Sequence, residues 1–281
     1  MSGRLQPLGA MPEGALGNVR GLLADIDDTI STGGRITARA YAAMERLRSA
    51  GLLVIPVTGR PAGWCDQIAR MWPVDAVVGE NGALYMIHDE RRRKLRKRYA
   101  LEPDDRKEAR ARFARIGEAI LREVPAAALA SDQAYRESDL AIDYCEDVAP
   151  LPRGSVERIV EIMRAEGMTV RVSSIHVNGW FGAYDKLTTT LLLLREEFGV
   201  DLDRERDRFV FAGDSPNDEP MFDYFPLSVG VANVRRFAER MRALPRYVTA
   251  RESGEGFAEI AAVLVRSRRK AAGGPVDLPA R

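Results

Sequence analysis

Three observations on this sequence predict an α/β fold built on a parallel sheet. Short apolar runs end in polar, glycine-containing clusters, segments with helical spacing separate them, and the pattern stops in mid-chain and resumes late. The first run, Gly21 to Ala24, ends at Asp25, the second, Leu52 to Val57, at Thr58, and the third, Ala76 to Val78, at Gly79. Each reads as a buried strand feeding a loop. Between the first two, Thr37 to Ala50 repeats Ala40, Met44 and Leu47 at helical spacing, and Gly51 follows as a stop. Late in the chain, Leu187, Leu191, Leu194 and Phe198 predict one helical face, Arg208 to Ala212 a strand, and a further helix opens near Pro216. Strand, helix and strand in this order imply parallel pairing with helices on both faces of the sheet.

The middle of the chain has another character. Asp104 to Glu123 reads as a charged helix, Ser155 to Glu166 as another, and Leu140 to Cys145 and Met168 to Phe181 as β-rich stretches. This α+β block, residues 89–182, is expected to be a domain inserted into a core formed by residues 19–88 and 183–270. Residues 1–18 are expected to form a flexible leader, and residues 271–281, with Gly273, Gly274, Pro275 and Pro279, a flexible tail.

Composition removes several function classes. In 281 residues, 42 Lys and Arg face 41 Asp and Glu, a net charge of +1, which argues against a nucleic-acid binder and against an acidic disordered chain. Cys65 and Cys145 are far apart and have no His or second Cys at ligand spacing, so neither a disulfide framework nor a zinc site is expected, and a reducing cytoplasm fits. No apolar stretch approaches the ~20 residues that a bilayer crossing requires, so no membrane partner is expected. Arg91 to Arg98 holds seven basic residues in eight, yet no aromatics interleave with them and acids follow at Glu102, Asp104 and Asp105. A solvated edge is the expectation there.

Chemistry concentrates at two strand ends. Asp25-Ile26-Asp27-Asp28-Thr29 follows the first apolar run, and Asp25 and Asp27, two apart on an extended chain, share a side. Two carboxylates ~4 Å apart repel by roughly 4 kcal/mol at an effective dielectric of 20, so convergence implies a cation or a shared proton. Capping of a following helix is the other reading of the tripeptide alone. The second end is Gly213-Asp214-Ser215-Pro216-Asn217-Asp218, where Ser215 and Pro216 suit a helix N-cap and first position. Capping accounts for Ser215 and Asp218 but not for Asp214. Thr58-Gly59-Arg60 offers a hydroxyl and backbone amides, and Lys186 opens the Leu-rich helix.

Asp25-x-Asp27-x-Thr29, Thr58 after an apolar strand, Lys186, and Gly213-Asp214-Ser215-Pro216-Asn217-Asp218, in that order, resemble the motifs of the haloacid dehalogenase superfamily of phosphohydrolases over about residues 20–265. That resemblance implies a Rossmann-like core. Only Ile30 to Ile36 follow the first motif before the next helix, whereas Thr58 and Lys186 lie 128 positions apart. This spacing is similar to that of the branch with an α+β cap after the third strand, which contains sucrose, trehalose and mannosyl-phosphoglycerate phosphatases and phosphomannomutase. Gly79-Glu80-Asn81-Gly82-Ala83 and Gly254-Glu255-Gly256-Phe257 also look like segments of that branch.

The resemblance implies a Mg²⁺-dependent phosphatase acting on a sugar phosphate or related small phosphomonoester. Asp25 would be the nucleophile that becomes an aspartyl phosphate, and Asp27 the proton donor and then the base. Mg²⁺ would be held by Asp25, the Asp27 carbonyl, Asp214 and Asp218, while Thr58, Gly59 and Lys186 would bind the phosphoryl oxygens and Asn217 would orient the shell. Arg60, Asn81, His176 and Asn178 are candidates for substrate contact; His176, Asn178 and Trp180 share one strand face by alternation. A phosphomutase using the same intermediate and a non-catalytic phosphosugar-binding module are the alternatives.

Overall fold

The apolar run Gly21–Ala24 forms a strand, buried along its whole length, inside a six-stranded sheet. Its neighbours are Leu53–Pro56 on one side and Phe209–Gly213 on the other, followed outward by Leu227–Gly230, Tyr247–Val248 and Gln6–Pro7. All five pairings are parallel, so the strands' carboxyl ends line one edge of the sheet. Burial on both faces removes the need for alternation, which is why Leu22-Leu23-Ala24 and Phe209-Val210-Phe211-Ala212 read as unbroken apolar runs. The computed structural model describes residues 5–271, which form two compact units. The sheet belongs to the first unit, made of the chain up to Val57, Met71–Val77 and the chain from Leu191 onward.

Helix Ala38–Ser49 begins where the Thr37 side chain accepts the Ala40 N–H, and buries Ala40, Ala43, Met44 and Leu47. It packs on helix Ser253–Ala271. The expected leader departs from expectation over its described part. Gln6–Pro7 pairs with Tyr247–Val248, Glu13–Gly17 is a short helix against Ser253–Ala271, and Leu8, Met11 and Leu16 are buried. Apolar residues placed singly among Gly and Pro make no run, but three of them suffice to dock the segment. Residues 1–4 of the leader and 272–281 of the expected tail lie outside the described residues, and Ala271 closes the last helix.

The second unit comprises Thr58–Arg70 and Val78–Thr190. An antiparallel sheet in the order Thr169–Val172, His176–Trp180, Leu140–Asp143, Ala128–Leu129 carries helices Pro103–Glu123 and Arg153–Ala165. Phe113, Ile116, Ile142, Ile159, Met163 and Val177 belong to its core. The α+β character matches the expected insert, but the unit is wider than residues 89–182. Strand Leu84–Asp89 pairs along its full length with Lys94–Tyr99, so the hairpin's hydrogen bonds run straight across the expected boundary. Strand Lys94–Tyr99 is the edge of a three-stranded sheet with Val77–Gly79 and Leu84–Asp89, and most of its side chains are exposed. A lysine- and arginine-rich edge resists pairing with another chain.

Helix Lys186–Phe198 also differs in detail. Its buried positions are Lys186, Thr189, Thr190, Leu193 and Leu194, not the predicted line through Leu187 and Leu191. Two threonines can be buried because the Thr189 hydroxyl donates to the Gly82 carbonyl (2.5 Å) and the Thr190 hydroxyl to the Lys186 carbonyl (2.6 Å). Among the described residues no helix is long and apolar enough to cross a membrane.

The docked amino-terminal segment makes a quantitative prediction. Leu16→Ala should lower the unfolding free energy by about 2 kcal/mol in urea titration, whereas a segment free of the core would show no change.

Candidate active site

In the first unit the parallel register sets Ala24 opposite Ala212, and the Asp25 N–H donates to the Ala212 carbonyl at 2.9 Å. Asp25 and Asp214 therefore leave the sheet at the ends of neighbouring strands. The chain then turns through Pro216–Asp218, which brings Asp218 back beneath the strand end. Oxygens of Asp25, Asp214 and Asp218 lie within 4.8 Å of one another, and all three residues are buried. Gly213 makes this possible, because a Cβ there would overlap the Asp218 carboxylate.

Each acid is oriented by its own neighbours. The Asp218 Oδ2 accepts the N–H groups of Asp214 (3.1 Å) and Ser215 (3.4 Å). Asp214 accepts from the Thr29 hydroxyl (3.4 Å) and from the Asn233 amide (3.1 Å). Asn233 also donates to the Asp28 carbonyl (3.0 Å), and its own oxygen accepts the Ser253 N–H (3.0 Å). Asn217 sits in the same turn, its Oδ1 accepting the Ser215 hydroxyl at 2.6 Å. Asp27 is half-buried and extended (φ −69, ψ 125), two residues beyond Asp25, while Asp28 takes a left-handed φ of 55. The Asp27 carboxylate is not among the three that converge.

Asn233 escaped the reading of the sequence. Its signal was the one that marked Asp25 and Asp214: a polar residue just past an apolar run, here Leu227–Gly230, at the carboxyl end of a core strand.

Three buried carboxylates in one place suit a hard divalent cation such as Mg²⁺, which takes oxygen ligands. A soft or nitrogen-seeking metal would find neither Cys nor His among these ligands.

Thr58, Gly59, Arg60, Asn81, His176, Asn178 and Lys186 all fall in the second unit. The Thr58 hydroxyl accepts the Arg60 N–H (3.0 Å), and the Thr58 carbonyl accepts the Asn81 N–H (3.0 Å). Glu80 and Asn81 have φ of 46 and 54, and Gly82 follows at φ 104. A Cβ on Gly82 would overlap the Asp185 carbonyl, so glycine lets this turn rest on the residue before Lys186. Thr58, Asn81 and the start of the Lys186 helix are thereby brought together. The Asn81 Nδ2 is buried and has no partner in the chain, and it stands 3.1 Å from where a Gly59 Cβ would be.

The other candidates belong to a buried polar network. Arg60 donates to Glu146 (2.7 Å) and Asp132 (3.3 Å), and its guanidinium lies 4.5 Å from the centre of the Trp64 ring. Arg136, with a fully buried side chain, bonds Asp132, Asp139 and the Gly59 carbonyl. The Asn178 amide donates to Asp139 at 2.9 Å, and the His176 Nε2 lies 2.9 Å from Glu146. His176 and Asn178 do share one face, with Val177 and Gly179 packed into the core behind them. Arg136, Asp139 and Glu146 carried no pattern that reading along the chain could detect, because the contacts that tie them to Gly59, Asn178 and Arg60 span 77, 39 and 86 residues.

Burial, with Asp139 nearby, pushes the Glu80 carboxyl up to about 8. The neighbouring His176, and after it Arg60, hold the Glu146 carboxyl down to about 2.

Residues 22–138 match the model of a family described as haloacid dehalogenase-like hydrolase. Comparison with curated proteins gives no match. Among solved structures, the chain is similar to the C-terminal domain of C. albicans trehalose-6-phosphate phosphatase, with TM-score 0.68 and 12% identity, covering 94% of this chain and 99% of that one. It is similar to a Thermoplasma acidophilum protein with TM-score 0.64 and 20% identity, covering 88% of this chain and 98% of that one. It also resembles the sucrose-phosphatase of Synechocystis, solved with sucrose and phosphate, with TM-score 0.59 and 17% identity over 88% of this chain and 98% of that one. At these identities the likeness is one of fold.

Glu146 gives a pH signature. A carboxyl held below its ordinary value of 4.5 stabilises the fold above that pH and loses its contribution as pH falls through about 2. The stability gap between the wild type and Glu146→Gln should close as pH falls from about 4.5 to 2 in thermal unfolding.

Proposed function

We propose, from the premise that this chain is a member of the haloacid dehalogenase superfamily, that it is a Mg²⁺-dependent phosphomonoesterase acting on a sugar phosphate. The observation that carries the proposal is the buried convergence of Asp25, Asp214 and Asp218 at the carboxyl edge of the parallel sheet, with Asp27 two residues beyond Asp25. Mg²⁺ held by Asp25, Asp214, Asp218 and the Asp27 carbonyl would neutralise the charge that otherwise keeps a carboxylate from an anionic phosphoryl group.

The remaining chemistry belongs to the chain. The Asp25 carboxylate attacks phosphorus as the ester P–O bond breaks, and Asp27 gives its proton to the departing alkoxide. Asp27, now ionised, takes a proton from the water that cleaves the aspartyl phosphate, which frees Asp25 and releases phosphate. The Thr58 hydroxyl, the Gly59 N–H, the Asn81 amide and Lys186 hold the phosphoryl oxygens, a task that is mostly positioning and electrostatics. The unpartnered, buried Asn81 Nδ2 supports that assignment, because a buried donor left unpaired is costly unless a ligand satisfies it. Sugar phosphates are favoured as substrates by the likeness of fold to the sucrose and trehalose-6-phosphate phosphatases. A reducing cytoplasm is the proposed setting, in keeping with two cysteines that are not joined in a disulfide.

The test is phosphate release from a panel of phosphorylated metabolites, with Mg²⁺ and with EDTA. Release should need Mg²⁺ and vanish in Asp25→Asn, and Asp27→Asn should lower kcat by about 10²–10⁴-fold with KM little changed. Isomerised sugar phosphate without free phosphate would instead identify a mutase, and equal release by Asp25→Asn would remove Asp25 from the mechanism.

A further inference from the structure

We infer that Arg136 and Glu80 are positioning residues that hold the Thr58–Ala62 loop in the shape its phosphoryl donors require. The inference rests on the proposed reading of Thr58 and Gly59 as those donors. Two peptide planes decide where the loop's amides point. The Thr58 carbonyl is fixed by the Asn81 N–H, and because a trans peptide sets C=O and N–H on opposite sides, the Gly59 N–H is aimed away from Asn81's backbone. Among the described residues that N–H has no partner in the chain. The next plane is fixed at both ends, since its carbonyl, Gly59 O, accepts from Arg136 Nη1 at 2.9 Å and its N–H, Arg60 N, donates to the Thr58 hydroxyl at 3.0 Å.

Arg136 can do this because it is itself aimed. Its Nε donates to Asp132 Oδ1 (2.9 Å), its Nη2 to Asp132 Oδ2 (3.2 Å), and its Nη1 to Asp139 as well as to Gly59. A planar fork with carboxylates on two sides has one orientation in which every donor is satisfied. Glu80 grips the other end of the loop. Its Oε1 accepts the N–H groups of Ala62 and Glu137 (both 2.8 Å), and its Oε2 that of Ser138 (2.6 Å). The segment from Asp132 to Asp139 thus holds the loop at two points four residues or fewer apart, through one cation and one buried carboxyl. Neither residue is assigned contact with the substrate.

The experiment compares the wild type with Arg136→Lys and Glu80→Gln. Lysine keeps the charge but cannot present the fork, so the Gly59 carbonyl loses its donor; Glu80→Gln offers an NH₂ group where an N–H now finds an oxygen. Three quantities are read: the inhibition constant of inorganic phosphate in the release assay, deuterium uptake by residues 58–64, and uptake by strand Leu140–Asp143 as the control for the unit's fold. Each variant should weaken phosphate inhibition about tenfold and raise uptake in the loop while the control strand stays protected. Unchanged phosphate inhibition and unchanged loop uptake in a folded variant would overturn the inference, as would a loss of protection spread equally over loop and strand. If the wild type releases phosphate from no ester, the proposed function fails on its own, and the loop's deuterium uptake still decides whether Arg136 and Glu80 position it. Should Arg136→Lys not fold, Glu80→Gln carries the test.

Discussion

Repulsion among three carboxylates is the constraint on which the first unit is organised. Asp25, Asp214 and Asp218 are buried with oxygens within 4.8 Å of one another, and each pair at such a distance costs roughly 4 kcal/mol at an effective dielectric of 20. A fold stable by only about 5–15 kcal/mol does not carry that cost without compensation. Backbone and side-chain donors supply part of it: two N–H groups face Asp218, and Thr29 and Asn233 face Asp214. These four donors are neutral, and the divalent cation proposed for the site would act directly on the charge of the three acids. Parallel pairing is what creates the problem and its use, because it delivers the ends of adjacent strands to one edge where a ligand can sit.

In the second unit the same issue has the opposite solution. Arg60 and Arg136 are buried among Asp132, Asp139 and Glu146, so charge meets charge within the chain. Buried ion pairs of this kind add little net stability over apolar packing, but removing one partner is expensive, which makes the arrangement rigid and specific. The network ends on the Gly59 carbonyl, so its rigidity reaches the backbone that follows Thr58.

What could be read along the chain was whatever depends on neighbours in sequence. Strand Gly21–Ala24 was marked by its apolar run, helix Ala38–Ser49 by Thr37 and Gly51, and the acids by their place immediately after buried strands. What depends on partners far away was not legible. Asn233 meets Asp214 across 19 residues, and Arg136 meets Gly59 across 77. Gln6–Pro7 is a strand only because Tyr247–Val248 is there to pair with it. The buried face of the Lys186 helix was misplaced because Thr189 and Thr190, polar by composition, find acceptors at Gly82 and Lys186 and turn inward. His176 and Asn178 were legible as sharing a face, but not as neighbours of Glu146 and Asp139.

Calorimetric titration of the folded chain with Mg²⁺, without any substrate, addresses the carboxylate cluster most directly. The wild type should bind one Mg²⁺ and gain thermal stability as it does, while Asp214→Asn, with one charge removed, should bind far more weakly and be less destabilised by EDTA than the wild type. A wild type that shows no heat of binding and the same unfolding temperature in Mg²⁺ and EDTA would contradict the account.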